Sequence, residues 1–269
     1  MIGRAVGILQ RRGLCVMVRA SLTRLQGIFA SQAKSFRTHR HLFFGKTGLE
    51  IGGPSAVFAK SGIFPVYGVV QCLDNWNYSN ITAWNTDVKR MDEFRFDPNK
   101  QYGREYIGEA TSMGVLASNV YDFILSSHML EHTANPIGAL KEWKRLLRSE
   151  GTLVLILPNK KYTFDHQRPA TTLEHLVSDF ELNVQENDLT HLPEILMLHD
   201  FHRDPDAPDP VSFKFRGLHN LENRCLHHHV FDAQLARDIV EYVGLKFDSV
   251  EECSPHHIVL LAQKKINSD

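Results

Sequence analysis

Short apolar runs recur along the chain between residues 48 and 158, and most of them end in an acid, a glycine or a serine. The segments span 48–55, 69–74, 106–110, 121–132 and 151–158. Apolar runs of this length, bounded by turn residues, are typical of strands buried in a parallel sheet. Ligands of such sheets bind at the carboxyl ends of the strands. The pattern therefore predicts an α/β protein with a ligand at that edge.

The carboxyl-terminal part of the chain predicts one helix and two strands. Asp232 can cap a helix over 233–243, and Gly244 can end it. The segments 245–253 and 258–263 are then predicted to be strands joined by a short turn. Two strands so close in sequence pair as an antiparallel hairpin.

Residues 160–225 interrupt the strand pattern. Helices are predicted over 173–182 and 192–199, and the stretch 203–210, rich in proline and aspartate, is predicted to be a loop. An insertion after the fifth strand lies over the carboxyl edge of the sheet. We therefore expect it to form a lid that excludes water from a bound ligand.

The turn after the first strand carries the first candidate binding residues. Glu50, Gly52 and Gly53 form an acid-then-glycine turn, in which the absence of a Cβ lets the backbone approach a ligand closely. Asp74 follows an apolar run over 66–73 and is placed to accept hydrogen bonds from a ribose. Dinucleotide-binding proteins use an acid at a similar distance for this purpose.

The fourth predicted strand ends in polar residues and leads into a helix. Its last residues are Ser126, Ser127 and His128. A helical turn is predicted to begin at Leu130-Glu131-His132. Asn135 is the predicted N-cap of the next helix, with Pro136 at its first position, where the fixed φ of proline suits the helix.

This succession of segments resembles the class I S-adenosylmethionine-dependent methyltransferases that act on small molecules, lipids or glycans. The resemblance covers residues 48–165 and 226–265. It implies a Rossmann-like, seven-stranded and mostly parallel sheet with helices on both faces and an antiparallel hairpin at the end. The usual turn of the family is acid-x-Gly-x-Gly-x-Gly, and here Pro54 and Ala56 stand at the second and third glycine positions.

The resemblance also implies the cofactor, S-adenosyl-L-methionine, and an in-line transfer of its methyl group to a small-molecule, sugar or lipid acceptor. In this family Asp74 would bind the ribose, Glu109 would face the adenine, and the amides of the glycine turn would hold the methionine end. The carboxylates of Glu50, Asp74 and Glu109 are expected to converge on one crevice. The candidate cofactor-binding residues are Glu50, Gly52, Gly53, Asp74, Glu109, Ala110, Ser126 and Ser127.

Histidines are dense between residues 166 and 229, and two interpretations compete. Imidazole is a common metal ligand. However, no histidine pair has the i, i+4 spacing with a glutamate of the metalloproteases, and alternating side chains in the run His227–His229 cannot face one point. We therefore expect no metal and favour a general base that takes a proton from an acceptor hydroxyl. The candidates are His166, His229 and His128.

Two other classes of protein share parts of this pattern. An NAD(P)-dependent oxidoreductase also uses a glycine turn and a following acid, but it needs the fuller Gly-x-Gly-x-x-Gly, which the turn lacks. A non-catalytic binding or scaffold protein could keep the fold with an altered glycine turn. Titration with S-adenosylmethionine and with NAD(P) separates these alternatives from a methyltransferase.

Charge is distributed unevenly along the 269 residues. Residues 1–48 contain nine basic residues and no acid, whereas the remainder has 21 basic and 31 acidic residues. An acidic body is unsuited to nucleic acid, since affinity for it comes mainly from phosphate contacts. The four cysteines are scattered, which favours a reducing compartment such as the cytoplasm over a disulfide framework.

Residues 1–47 form a basic arm whose apolar residues recur at a helical period, and the catalytic domain is expected over 48–265. Three interpretations of the arm remain open. Residues 1–40 could bind an anionic membrane surface as an amphipathic helix. They could form a mitochondrial transit peptide. They could also pack across the domain and show their arginines to water.

Overall fold

A computed structural model describes residues 32–79, 93–207 and 209–266. Most of the predicted amino-terminal arm lies outside these residues. The described part of the arm contains one short helix, α1, at Lys34–His39. The first turn of α1 contains no acidic residue. The carboxylate of Glu251, distant in sequence, accepts hydrogen bonds from the backbone N–H groups of Lys34 (3.1 Å) and Ser35 (2.7 Å). This end of the arm is therefore attached to the body of the protein.

Seven strands form one sheet. They are β1 (Thr47–Ile51), β2 (Cys72–Asn77), β3 (Glu105–Ile107), β4 (Tyr121–Ser127), β5 (Leu147–Pro158), β6 (Leu245–Cys253) and β7 (His257–Lys264). Their order is β3-β2-β1-β4-β5-β7-β6, and β7 pairs antiparallel with both β5 and β6 while the other pairings are parallel. The predicted sheet with its antiparallel hairpin is confirmed. The strand order reverses between β1 and β4, which is the point where open sheets bind ligands.

Six α-helices follow β4 in the described residues, two of them with the N-caps that the sequence predicted. They are α2 (Pro136–Leu146), α3 (Leu173–Glu181), α4 (Leu192–Leu198), α5 (Pro210–Leu218), α6 (Asn220–Asn223) and α7 (Ala233–Tyr242). Asn135 Oδ1 accepts a hydrogen bond from Gly138 N at 2.9 Å, and Asp232 Oδ1 accepts one from Leu235 N at 2.8 Å. Each cap satisfies an N–H group that the helix itself leaves unpaired.

The two faces of the sheet are covered differently. Alternate side chains such as Ile124 pack with α2, α3 and α7 in one large core. Phe123 and Leu125 face the other way and pack with α1 and with a cluster of aromatic rings. In that cluster Phe43 meets Phe123 edge to face, with ring centroids 5.4 Å apart. The first face of the sheet is thus covered by long helices, whereas the second face is covered by short turns and packed aromatic rings.

The insertion between β5 and α7 has a small core of its own, to which α4 and α5 contribute. Its loops are organised around Arg168, which is fully buried. The guanidinium donates to Asp165 (3.0 Å), to Glu194 (2.9 Å) and to the carbonyl oxygens of His227 (2.8 Å) and His228 (3.2 Å). Arg168 therefore fixes the segment that leads into α7 against the start of the insertion. No helix in the described part of the chain is long and apolar enough to cross a membrane.

Candidate active site

A cavity of about 370 Å³ lies at the carboxyl ends of β1, β2 and β4. We call it the first cavity. Its walls are Ile51, Gly52, Gly53, Pro54, Trp76, Asn77, Tyr78, Gly108, Glu109, Ala110, His128, Met129, His132, Thr133, Glu186 and Arg224. Its position is the one predicted for a cofactor, and its volume lies within the range of ordinary small-molecule sites.

The glycine turn borders this cavity, but its amides are used inside the protein. Gly52 N donates to Trp76 O (2.9 Å), and Gly53 N donates to Asn75 Oδ1 (2.9 Å). A Cβ on Gly53 would lie 2.4 Å from Glu50 Cδ, so no larger residue fits there without movement. Gly52 has a φ of +79°, which glycine adopts without strain. The two glycines shape the cavity floor through their small size and their conformation, while their N–H groups are already bonded.

Glu50 supports the turn from below and does not line the first cavity. Its carboxylate is fully buried and accepts hydrogen bonds from Tyr67 Oη (2.7 Å) and Ser55 N (2.9 Å). Burial raises the pKa of Glu50 to about 7, although these hydrogen bonds act in the opposite direction. The acid of the predicted motif therefore positions the backbone of the turn.

Asp74 also lies away from the first cavity. It sits midway along β2, opposite Leu49 of β1, and its carboxylate accepts hydrogen bonds from Arg104 N and Tyr121 Oη, both at 2.8 Å. From the sequence, the second strand is predicted over the apolar run 66–73. In the structure Val66–Gly68 is a 3-10 turn, and the strand continues to Asn77.

Asn77 occupies the strand-end position that was expected for Asp74. Its Nδ2 donates to Gly53 O (3.3 Å) and to Glu105 Oε1 (3.0 Å), so the carbonyl oxygen Oδ1 is the atom that can accept from a ligand. The three carboxylates of Glu50, Asp74 and Glu109 consequently do not converge on one crevice. Among the three, only Glu109 borders the first cavity.

The insertion closes the first cavity through Arg224. Arg224 Nη2 lies 2.5 Å from Glu109 Oε1, and its Nη1 lies 2.9 Å from Glu186 Oε2. The guanidinium also stands 5.1 Å from the centre of the Tyr78 ring. One side chain of the insertion thus contacts both the strand-end acid Glu109 and the aromatic residue that follows β2.

A second cavity of about 590 Å³ adjoins the first, beneath the insertion. The two cavities share Gly52, Pro54, His128 and His132. The second is also lined by Ser55, Ala56, Val57, Ser127, Glu131, Pro158, Tyr162, Thr163, Phe164, Arg203, Asp204, Pro205, Asp206, Phe213, Arg216, Cys225, His227, His256 and His257. Ser127 therefore faces the second cavity, whereas Ser126 is buried in β4 and borders neither.

A buried aspartate–histidine pair stands at the second cavity. His227 Nδ1 lies 2.5 Å from Asp165 Oδ2, and Arg168 holds the other oxygen of Asp165. Burial alone would lower the pKa of His227, but the Asp165 carboxylate outweighs it and raises that pKa. Burial would likewise raise the pKa of Asp165, yet His227 and Arg168 lower it to about 2. The carboxylate fixes the ring so that Nε2 is the nitrogen free to exchange a proton with a ligand.

The three histidines nominated from the sequence lie in different surroundings. His166 Nε2 is 2.9 Å from Asp200 Oδ2 and borders neither cavity. His229 is fully buried, and burial lowers its pKa well below the usual value. His128 borders both cavities, but its Nε2 lies 2.9 Å from His257 Nδ1, and burial followed by the neighbouring histidines lowers its pKa strongly.

His227 was not among the catalytic candidates named from the sequence, although it lies two residues before His229, and Asp165 lies directly before His166. In a fully extended segment His227 and His229 would lie on the same side, with His228 on the other. The segment is not a strand in the structure, and His227 lines the second cavity whereas His229 lines neither cavity. Arg168 holds the segment in this conformation through the carbonyl oxygens of His227 and His228, which sequence alone does not reveal. The arginine in Asp165-His166-Gln167-Arg168 was the available signal, since a basic residue three positions after an acid can pair with it.

Glu131 presents a buried carboxylate at the edge of the second cavity. It is 1% exposed, and neither oxygen has a hydrogen-bond partner within the described ranges. Burial raises its pKa to about 7, against the attraction of His227. Such a group is suited to receive a donor from a ligand, because an unpaired buried carboxylate is costly.

Comparisons with known proteins find one matching family model and several solved structures of similar fold. Residues 69–155 match the family model described as a methyltransferase domain. A S-adenosylmethionine-dependent methyltransferase from Mesorhizobium loti is similar over 85% of this chain and 95% of its own, with a TM-score of 0.50 and 11% identity. No curated protein sequence matches the chain.

Two further solved structures are similar over most of their length. A S-adenosylmethionine-dependent methyltransferase from Aquifex aeolicus is similar over 91% of this chain and 97% of its own, with a TM-score of 0.46 and 14% identity. One from Methanosarcina mazei is similar over 88% of this chain and 100% of its own, with a TM-score of 0.47 and 13% identity.

Proposed function

We propose that this chain is a class I S-adenosylmethionine-dependent methyltransferase and that it methylates a hydroxyl group of a small acceptor molecule. The cofactor occupies the first cavity and the acceptor occupies the second. The observation that carries the proposal is the junction of the two cavities, with the Asp165–His227 pair on the acceptor side.

The first cavity offers suitable partners for each part of the cofactor. The carbonyl oxygen of Asn77 accepts hydrogen bonds from the ribose at the end of β2. Glu109 and Ala110 lie at the end of β3, beside the adenine, and Trp76 and Met129 supply apolar contact. The methionine end lies over Gly52 and Gly53, where the absence of side chains leaves room for it.

The acceptor hydroxyl is deprotonated as it attacks. When bound, S-adenosylmethionine supplies an electrophilic methyl group on a sulfonium. With the cofactor bound, the acceptor oxygen would form the new bond to the methyl carbon as the carbon–sulfur bond breaks, and S-adenosylhomocysteine would be the leaving group. The hydroxyl proton passes to His227 Nε2, while Asp165 stabilises the imidazolium that results. Most of the rate enhancement comes from holding oxygen and methyl group in line.

The walls of the second cavity favour a small acceptor with both apolar and polar surface. Tyr162, Phe164 and Phe213 offer aromatic faces, and Arg203 and Arg216 offer cationic donors. A phenol, a sugar or a lipid head group combines these features. The insertion that covers the cavity acts as a lid over this acceptor.

Cofactor binding is tested by calorimetry with S-adenosylmethionine. Asn77→Ala is expected to weaken binding about tenfold, because the loss of hydrogen bonds to the ribose costs about 1.4 kcal/mol. Asp74→Asn is the matched control and should bind as the wild type does. Equal affinities for wild type and Asn77→Ala would contradict the cofactor placement. Binding of NAD(P) in place of S-adenosylmethionine, or of neither, would overturn the function.

The acceptor is identified with isotopically labelled S-adenosylmethionine. Cell extracts are incubated with the enzyme, and mass spectrometry detects the labelled product. The methyl group is expected on oxygen of a small molecule. A product methylated on nitrogen or carbon, or on a macromolecule, would contradict the proposal for the acceptor while leaving the cofactor site intact.

A further inference from the structure

Three histidines and one aspartate from separate segments meet inside the insertion. His175 and Asp179 lie one turn apart on α3, His191 immediately precedes α4, and His229 lies in the segment before α7. One ring nitrogen of each histidine and one carboxylate oxygen all lie within 4.8 Å of one another. None of the four residues lines either of the cavities described above.

The separations of the four atoms suit a tetrahedral ion. His175 Nε2 is 2.8 Å from His191 Nε2 and 3.3 Å from Asp179 Oδ2, and His229 Nε2 is 3.6 Å from the same oxygen. With bonds of 2.0–2.1 Å to zinc, tetrahedral geometry places ligand atoms about 3.3 Å apart. The cluster therefore needs little movement to bind an ion at its centre.

Hydrogen bonding within the protein leaves this cluster incompletely satisfied. Asp179 Oδ2 and His229 Nδ1 are buried and have no hydrogen-bond partner in the described part of the chain. The contact between the Nε2 atoms of His175 and His191 can hold only one proton. A cation in the centre would give the carboxylate oxygen and the Nε2 atoms of His175 and His191 a common partner, and binding of His229 Nε2 would replace its 3.3 Å contact with Ala134 O.

Outer contacts orient one of the ligands. His191 Nδ1 lies 3.5 Å from Asp188 Oδ2 while its Nε2 faces the cluster. A carboxylate behind the second ring nitrogen is the usual support of a histidine that binds a metal, because it fixes the tautomer.

We propose that His175, Asp179, His191 and His229 form a structural site for a divalent transition-metal ion such as zinc. Three imidazoles and a carboxylate suit this class of ion, and four protein ligands leave no position open for a substrate. The ion ties α3 and the start of α4 to the segment that carries His227. From the sequence, no metal was expected because the three side chains of the run His227–His229 cannot face one point. The proposed site includes only His229 from that run.

The site is tested on the full-length, tag-free protein. Elemental analysis is expected to find about one zinc ion per chain. After chelator treatment, Co²⁺ is added, and visible absorption of the tetrahedral cobalt type is expected. Zn²⁺ is expected to raise the melting temperature of the treated protein.

His175→Ala is the most informative variant, because this side chain is exposed and its removal leaves the packing intact. The variant is expected to bind zinc more than about a hundredfold more weakly and to lose the thermal shift. His202→Ala removes another exposed histidine of the insertion and should retain both. Asp188→Asn is expected to weaken zinc about tenfold, as removal of an outer contact does.

Substoichiometric metal together with no cobalt spectrum would overturn the proposal. So would equal zinc affinity in His175→Ala and His202→Ala. Asp188, His191 and His228 also lie close together, and loss of zinc in His228→Gln but not in His175→Ala would move the site there. Binding of S-adenosylmethionine is measured separately, so failure of the metal site and failure of the cofactor site are distinguishable.

Discussion

At the scale of single residues, the glycine turn depends on size more than on its hydrogen-bond donors. A Cβ on Gly53 would come within 2.4 Å of Glu50 Cδ and 2.8 Å of Asn75 Oδ1. Gly53→Ala is therefore expected to lower the free energy of unfolding by about 1–3 kcal/mol and to weaken S-adenosylmethionine at least about tenfold. Denaturant titration and calorimetry measure the two effects.

Gly68 provides the control for this substitution. A Cβ there would meet nothing within 4 Å, so Gly68→Ala should leave both quantities nearly unchanged. Equal behaviour of the two alanine variants would show that the turn has room for a side chain.

The Asp165–His227 pair gives a second prediction at this scale. His227→Gln is expected to lower kcat by about 10²–10⁴, the usual contribution of a general base, with little change in cofactor affinity. Asp165→Asn should lower kcat in the same direction. Single-turnover kinetics with the identified acceptor measure both.

Asp200→Asn is the matched control, because Asp200 forms an equivalent pair with His166 outside both cavities. It should retain the wild-type kcat. A variant lacking His227 with wild-type kcat would remove the base from the mechanism and leave positioning as the whole of catalysis.

The sequence indicated which types of residue lie near the cavities better than it indicated which positions they occupy. Asp74 was expected at a strand end because the apolar run stops before it, whereas the ladders with β1 and β3 carry β2 on to Trp76 and Asn77. Hydrogen bonding between strands, which sequence does not display, decides where a strand ends. Side-chain direction raises the same difficulty, since His227 lines the second cavity and His229 does not, although alternation along an extended segment would place both on one side.

At the scale of elements, local signals were sufficient where they were read together. Asn135 and Asp232 cap helices as expected. The helix α5 was missed because the stretch 203–210 is rich in proline. Its signal was nonetheless present, since Asp209 accepts from Val211 N (2.9 Å) and Ser212 N (3.0 Å) with Pro210 at the first position.

The contact between the insertion and the sheet edge predicts how fast cofactor leaves. Arg224→Gln removes the charged contacts with Glu109 and Glu186 that close the first cavity. The dissociation rate of S-adenosylmethionine is expected to rise about tenfold, with a smaller change in the association rate. Stopped-flow fluorescence of Trp76, which lines the cavity, measures the rates.

Arg237→Gln serves as the control for Arg224→Gln. Arg237 forms an exposed pair with Glu241 on α7, away from the cavity walls, and its loss should leave both rates unchanged. A dissociation rate in Arg224→Gln equal to that of the control would show that the insertion does not retain the cofactor.

At the scale of the whole molecule, the sheet was predictable because independent signals agreed. Apolar segments, cap residues and the final hairpin all indicated one architecture, and such agreement across levels is what specifies a fold. The packing of the second face was not predictable. It uses aromatic rings such as Phe43 and Phe123 from distant segments, whose contacts depend on the finished sheet.

Burial of Glu50 contributes to the stability of the whole molecule, and this contribution should fall as pH rises through neutrality. The pKa of Glu50 is 4.5 in a free side chain and about 7 in the buried position. Between those values the folded state binds the proton that the unfolded state has released, so this contribution is greatest below pH 4.5 and declines toward pH 8. Buried histidines whose pKa is lowered, such as His128 and His229, contribute in the opposite direction. The shift of Glu50 corresponds to about 3–4 kcal/mol.

Glu50→Gln removes the titrating group while keeping an oxygen for the hydrogen bond from Ser55 N. Urea titrations at about pH 5 and about pH 8 give the free energy of unfolding at each pH, and this free energy is expected to rise in the variant relative to the wild type between the two values. Glu131, whose pKa is also raised to about 7, leaves part of the decline in place. Glu241→Gln, at an exposed position, should follow the wild-type curve, and the same curve for Glu50→Gln would mean that Glu50 does not titrate in this range.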